Sequence, residues 1–277
     1  ATLRVTCADR RGVIAAVTAA VAQAGGNILD ADQHADPHTG RFSMRLAFEG
    51  ASDRRRLEQA IGRTALDLGL RWQLRWPGEP PRAAILCSRH THCVADLMWR
   101  ISIGELRMDL TRVISNHGDA RDLARSFGFA YNELPVTPES RAAQEARLEA
   151  LLEQDGVELV VLARYMQVLS PVLARRYTDR IINIHHSFLP AFAGARPYHQ
   201  AFDRGVKLIG ATAHYVTEAL DEGPIIAQET RAVSHRDTVE DMIRKGRDLE
   251  RVVLAEAVRL HLEDRVIVDG QRTVVFE

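Results

Sequence analysis

The stretch IINIHHSFLP, residues 181–190, sets an amide and two imidazoles between an apolar run and a proline. If the apolar residues form a strand, successive side chains point to opposite faces, so Asn183 and His185 share one face and His186 takes the other. Neighbours that point apart cannot hold one metal ion together, and no HExxH supplies a substitute ligand set. An amide N–H beside an imidazole is what acyl chemistry needs. It offers a donor for the oxyanion that develops on a carbonyl, and a group able to deliver a proton to a leaving nitrogen. The nucleophile needs a third group. Asp221, in LDEGP, is a carboxylate on a tight Gly-Pro loop that could orient a water or fix the imidazole tautomer.

Most polar clusters at strand ends are hydrogen-bonded turns. That plainer reading is kept for His186 and for His34, His38, His90, His92, His117, His199 and His261, each expected to be solvated in a loop or hydrogen-bonded in the ordinary way. His214, inside ATAHYVT, stays open between the two readings. The aromatic and Met residues of ARYMQVLSP read first as core.

What must position Asn183 and His185 is a sheet. After a Pro- and Gly-rich linker, WPGEPPR, the apolar runs AAILC, LRMDLTRVIS, GVELVVLA and DRIINIH alternate with helical patterns, including one near residues 139–152. Near-continuous apolar strands are those that a parallel sheet buries on both faces, and ligands of such sheets sit beyond the carboxyl ends of the strands, where IINIHH leaves its own. KLIGATAHYVT and PIIAQETRAV read as strands flanking LDEGP, followed by a long helix near residues 238–262 and a hairpin-like tail, VIVDGQRTVVF. Before the linker, LRVTC, a helix near 13–24, NILDADQH, RFSMRLAFEG, a helix near 54–68 and LRWQLRW spell βαββαβ, a small sandwich with both helices on one face of an antiparallel sheet. The chain is therefore expected to be α/β with two domains, residues 1–77 and 83–277.

Composition narrows the class further. The 277 residues are 46% hydrophobic and 26% charged, ordinary for a globular protein with a sizeable core. Lys plus Arg number 36 against 37 Asp plus Glu, a net charge of −1 that argues against a nucleic-acid partner. Cys7, Cys87 and Cys93 are odd in number and form no CxxC, so neither a disulfide framework nor a cysteine metal site is expected, and a reducing cytoplasm fits best. No stretch has the length and apolarity of a membrane span or a targeting segment.

These motifs also carry a resemblance. VLARYMQVLSP, INIHHSFLPAF and GATAHYVTEALDEGPIIAQ resemble the formyltransferases that use formyltetrahydrofolate. With SRHTHCVADL, RPYHQAF and RKGRDLERVVLAEAV, the resemblance narrows to the formyltetrahydrofolate deformylases and spans nearly all of residues 83–277. CADRRGVIAAVTAAVAQAGGNILDADQH is similar to an ACT domain, which the deformylases carry first. The fold implied is an ACT-like βαββαβ domain followed by a Rossmann-like, mostly parallel formyltransferase domain. The resemblance implies hydrolysis of 10-formyltetrahydrofolate to formate and tetrahydrofolate, supplying formate for purine synthesis and balancing one-carbon folate pools. Asn183 would stabilise the oxyanion, His185 would assist it and protonate the leaving nitrogen, and Asp221 would orient and deprotonate the water. Met166 and Val168 would wall the pterin, main-chain groups near Gln167 and Leu169 would read its edge, and His214 would stand behind the site. No metal and no cofactor are implied, since the folate is the substrate. In the ACT-like domain, Asp9 is expected to cap the first helix, Gly12 to allow close backbone approach, and Gly25 or Gly26 to end that helix in a left-handed conformation. Asp9, Gly12 and Asn27 would bind a small amino-acid effector such as glycine or methionine in a homo-oligomer, a dimer or tetramer.

Three rivals are weighed against this expectation, of which a methionyl-tRNA formyltransferase would require a basic nucleic-acid face and an added C-terminal domain, neither of them expected here. A glycinamide ribonucleotide formyltransferase would share the Asn, His and Asp but needs a small, Gly-rich phosphate cradle after its first strand. Here that turn is CSRHTHC, and Ser88, Arg89, His90 and Thr91 are expected to fill the space. A non-catalytic amino-acid sensor would have no use for an intact Asn183, His185 and Asp221.

Overall fold

The structure is a computed structural model that describes residues 1–51, 53–78, 80–191 and 197–276. Phe192, which ends the motif INIHHSFLPAF, and Arg196, which begins RPYHQAF, lie outside the described residues. The chain folds as two compact units, Ala1–Glu79 with Glu263–Asp269 and Val274–Glu277, and Pro80–Leu262 with Gly270–Thr273. The C-terminal tail, expected with the second domain, thus belongs largely to the first. Its Val266 and Phe276 are buried, and the Val266 carbonyl accepts a 2.8 Å hydrogen bond from Arg4 Nη1.

The first unit has the βαββαβ order expected: β1 (Thr2–Ala8), α1 (Val13–Gln23), β2 (Asn27–Asp36), β3 (Arg41–Glu49), α2 (Arg54–Leu68) and β4 (Arg71–Arg75). The strands lie in the order β2-β3-β1-β4, and β1 runs antiparallel to both neighbours. Alternation in β1 buries Leu3, Val5 and Cys7, and three- and four-residue spacing in α1 buries Val13, Val17, Ala20 and Val21 against them. Asp53 caps α2 by accepting from the Arg56 N–H at 3.0 Å. At α1 the expectation was wrong. Gly12 is itself the N-cap, at φ 90°, and no side chain caps the helix. The Asp9 N–H instead donates to the Gly40 carbonyl at 2.7 Å. A Cβ on Gly12 would meet no atom within 4 Å, so the glycine serves the left-handed backbone rather than a close approach.

The second unit runs β5 (Arg82–Cys87), α3 (His92–Ser102), β6 (Asp109–Ser115), α4 (Arg121–Ser126), β7 (Tyr131–Glu133), α5 (Arg141–Gln154), β8 (Leu159–Ala163), α6 (Pro171–Arg176), β9 (Ile181–His185), α7 (Pro197–Asp203), β10 (Leu208–Tyr215), β11 (Ile225–Ala232) and α8 (Val239–Leu262). The tail strands β12 (Val266–Asp269) and β13 (Arg272–Val275) pair with each other in a two-stranded sheet. The main sheet has the order β11-β10-β9-β8-β5-β6-β7, parallel from β7 across to β9 and antiparallel at β9/β10 and β10/β11. Ala83–Cys87 of β5 and all of β8 are buried, as central parallel strands must be. The chain leaves β5 for β6 on one side and later returns to β8 on the other, the switch point at which such sheets open a crevice. Among the described residues, no helix is long and apolar enough to cross a membrane.

Candidate active site

β9 ends at His185, and its antiparallel partner β10 brings the other half of the site. The register sets His214 opposite Asn183 and Thr212 opposite His185, so the four side chains share one face of the sheet. Periodicity could not supply this pairing. A bulge between Ala213 and His214, where β10 pairs with β11, falls beside the site, a common way for a strand to re-aim a side chain.

His214 is almost wholly buried, and its Nδ1 lies 2.9 Å from the Tyr215 carbonyl. A carbonyl can only accept, so Nδ1 carries the proton and Nε2 is left to accept. It does so from the Asn183 amide Nδ2 at 3.2 Å. His214 thereby fixes which way the Asn183 amide faces. Thr212, fully buried, donates to the Ser187 carbonyl at 2.9 Å and accepts from the Leu189 N–H at 3.0 Å, holding the chain as it leaves β9.

Asp221 enters from the loop between β10 and β11, in a left-handed backbone at φ 56° that Asp tolerates better than most residues. Its Oδ2 lies 3.3 Å from His185 Nδ1, while its Oδ1 is 3.7 Å from His214 Nε2, too far for a hydrogen bond. The His185 contact, opposed by partial burial, holds the carboxyl well below the usual carboxylate range. With Nδ1 committed to Asp221, His185 Nε2 is buried and has no hydrogen-bond partner among the described residues. Two residues set the loop. The Tyr215 N–H donates to the Pro224 carbonyl at 2.9 Å, and Gly223 passes so close beneath Tyr215 that a Cβ there would sit 1.7 Å from its carbonyl oxygen.

Three strand ends are tied by Ser88, which follows β5. Its buried Oγ donates to Asn116 Oδ1 at 2.6 Å and accepts from the Met166 N–H at 2.9 Å. The segment after β8 is thereby fixed. In it Tyr165 is core, as expected, whereas Met166 and Val168 are 55% and 50% exposed, Gln167 is half-buried and Leu169 packs partly on the core. The Val168 carbonyl accepts from Arg141 Nη2 at 2.7 Å. Of the turn expected to be filled, Ser88 points inward, Thr91 is half-buried, and Arg89 and His90 are exposed. In the first unit, Asp9 and Gly12 lie in the turn before α1, and Asn27 opens β2 with its Nδ2 3.5 Å from Glu49 Oε1.

His186 is not an isolated polar residue. Its ring lies 5.2 Å from that of His185 and 6.2 Å from that of Tyr198, in a cavity shared with His92, Arg164 and Glu250. Burial, reinforced by the Arg164 charge, lowers its pKa to about 3. Sequence reasoning missed this cluster, whereas the Gly223–Pro224 pair did signal the tight loop that carries Asp221.

Comparison with known proteins agrees across the chain. A formyl transferase family model matches residues 81–258, and an ACT domain model matches residues 1–65. A formyltetrahydrofolate deformylase of Synechocystis is 50% identical, with 100% of this chain and 98% of that protein covered. The crystal structure of a formyltetrahydrofolate deformylase from Pseudomonas syringae pv. tomato superposes with a TM-score of 0.97 at 44% identity, over 100% of this chain and 94% of that one. A glycinamide ribonucleotide transformylase of Symbiobacterium toebii has a TM-score of 0.68 at 33% identity, over 74% of this chain and 98% of its own.

Proposed function

The chain belongs to the formyltetrahydrofolate deformylase family, a hydrolase of 10-formyltetrahydrofolate, and from that membership we propose that Asn183, His185 and Asp221 carry the reaction. The observation that bears most weight is the division of labour on His185: Nδ1 is held by Asp221, and the buried Nε2 is left without a partner among the described residues. A buried nitrogen without a partner costs free energy unless a ligand meets it.

Water held by Asp221 attacks the formyl carbon. A C–O bond forms, the carbonyl electron pair moves onto oxygen, and Asn183 Nδ2–H and protonated His185 Nε2–H stabilise the oxyanion. Asp221, kept ionised, takes the water proton only as bonding to carbon makes that O–H acidic. The oxyanion then collapses and the C–N bond breaks. The leaving nitrogen receives its proton from His185 Nε2, giving tetrahydrofolate and formic acid, which loses its proton to solvent. Asp221 then loses the water proton to solvent, and His185, whose Nδ1–H still faces Asp221 at 3.3 Å, regains a proton from solvent at Nε2. No step needs a cofactor.

The pterin lies against Met166 and Val168, with main-chain groups near Gln167 and Leu169 reading its edge, and His214 holds Asn183 from behind. Exposure of both apolar side chains beside the strand ends supports this. In the ACT domain, Asp9, Gly12 and Asn27 bind a small amino acid such as glycine or methionine, and the domain pairs with a second copy in a homo-oligomer. The edge position of β2, with Leu29 61% exposed, supports pairing there. Free, buried Cys7, Cys87 and Cys93 support a cytoplasmic setting, where the released formate would serve purine synthesis and the folate pool would be balanced.

The test is a two-product assay with labelled formyl donor, with and without glycinamide ribonucleotide. Formate should appear at the same rate in both. Label recovered mainly in formylated glycinamide ribonucleotide would instead make the chain a transferase, and label in neither product would make it a sensor.

A further inference from the structure

Behind His185, wholly within the second unit, the cavity that contains His186 has a volume of about 250 Å³. Its floor is Glu250, 1% exposed, whose two oxygens are both engaged. His92 Nε2 lies 2.8 Å from Oε2, and the Tyr198 hydroxyl donates to Oε1 at 2.7 Å. Burial is the largest influence on Glu250 and opposes ionisation, yet His92 and Arg164 together hold its carboxyl below the usual range.

Arg164 is the anomaly. Its side chain is only 9% exposed and its backbone is left-handed at φ 63°, a conformation that costs free energy for a residue of this size. The guanidinium Nε stands 3.5 Å from Glu250 Oε2, an ionic contact without hydrogen-bond geometry, and both Nε and Nη1 are buried with no acceptor among the described residues. Arg247 also lines the cavity. Arg247 is itself exposed, so the buried Arg164 guanidinium is the cation of the cavity that is left short of acceptors among the described residues. His92, Cys93 and Glu250 do bring ligand atoms within 4.8 Å of one another, but the neighbouring guanidinium and a Cys93 thiol pushed well up by burial do not suit a cation.

We propose that this cavity is a subsite for a small monocarboxylate, held by Arg164 and Arg247, and that its occupant is formate leaving the His185 side. A monoanion gives the buried Arg164 N–H groups an acceptor. His186, held neutral between His185 and Tyr198, lets a small anion pass without binding it as an ion pair. The identity of the occupant rests on the deformylase reading. The site itself does not.

The experiment titrates the full chain into [13C]formate, without folate, and follows the formate line width. Wild type should broaden the line, Arg164→Gln should weaken binding at least ~10-fold, as loss of a charge-assisted hydrogen bond predicts, and Arg247→Gln should weaken it less. If Arg164→Gln fails to fold by circular dichroism, Arg247→Gln still decides the matter. No broadening by wild type, or broadening undiminished in both variants, overturns the site. Chloride displacing formate as effectively as unlabelled formate would overturn the carboxylate assignment. Acetate displacing it at lower concentration would overturn formate as the occupant. Formate release from the folate substrate, measured separately, tests the deformylase reading and can fail or succeed independently.

Discussion

His214 Nε2 accepts from the Asn183 amide across the β9/β10 pair at 3.2 Å, while His214 Nδ1 is committed to the Tyr215 carbonyl at 2.9 Å. The imidazole is therefore a fixed acceptor, and it sorts the two ends of the amide: nitrogen toward His214, with its second N–H left for a ligand. His214→Ala should lower kcat roughly 10-fold with little change in KM, the value of one orienting hydrogen bond felt mainly when the oxyanion forms. Steady-state kinetics decide this, and turnover within about twofold of wild type would mean that Asn183 keeps its orientation unaided.

Asp221→Asn and His185→Ala should each lower turnover at least ~100-fold while far-UV circular dichroism is unchanged, since each removes a group that the proposed mechanism uses for proton transfer or oxyanion stabilisation. Wild-type turnover in either variant would remove that residue from the mechanism.

Gly223→Ala places a methyl 1.7 Å from the Tyr215 carbonyl oxygen, so the loop must move and take Asp221 with it. Turnover should fall at least ~100-fold, because a shift of about 1 Å in a reacting group has that effect. Stability should drop by about 1–3 kcal/mol in urea unfolding, as for an overpacked core. Glu222→Ala, exposed in the same loop, is the control and should change neither quantity.

Acid sensitivity should trace to His186 before Asp221. The folded-state pKa of His186, lowered to about 3, lies below its unfolded value of about 6.5, so the unfolded chain takes up the proton first. The stability associated with neutral His186 is full above about pH 6.5 and is lost as pH falls toward its folded pKa. The depressed Asp221 carboxyl has the same sign in a lower window, contributing above about pH 4 and losing that contribution below. His186→Phe should flatten the decline between about pH 6.5 and pH 4 in urea unfolding series, and an unchanged slope there would assign it to another group.

The elements were legible because their patterns are long and strong. The alternation of β1, the spacing of α1 and the apolar run of β8 each announce themselves, as does the shared face of Asn183 and His185. Short α6 and α7 were not seen, since six or seven residues barely establish a helical period. What sequence could not yield was pairing. That β10 turns antiparallel to β9, bringing His214 opposite Asn183, follows from topology and not from either strand alone. The cavity was hidden for the same reason. His92, Arg164, His186 and Glu250 lie on four elements or their ends, and each taken singly looks like an ordinary surface polar residue. The tail was misplaced because its alternation shows that it forms strands but not which core they complete.

The neck of the Asp221 loop, where Tyr215 bonds the Pro224 carbonyl and no side chain fits at Gly223, sets the enzyme's manner of working. A loop pinned at its base cannot act as a swinging lid. The carboxylate is instead placed when the chain folds, so under the proposed mechanism each turnover begins with the orienting entropy of that group already removed. Amide hydrogen exchange offers a direct view. The Tyr215 N–H should exchange as slowly as the sheet behind it and should not quicken or slow when folate binds, because the loop has one position to occupy with or without its substrate.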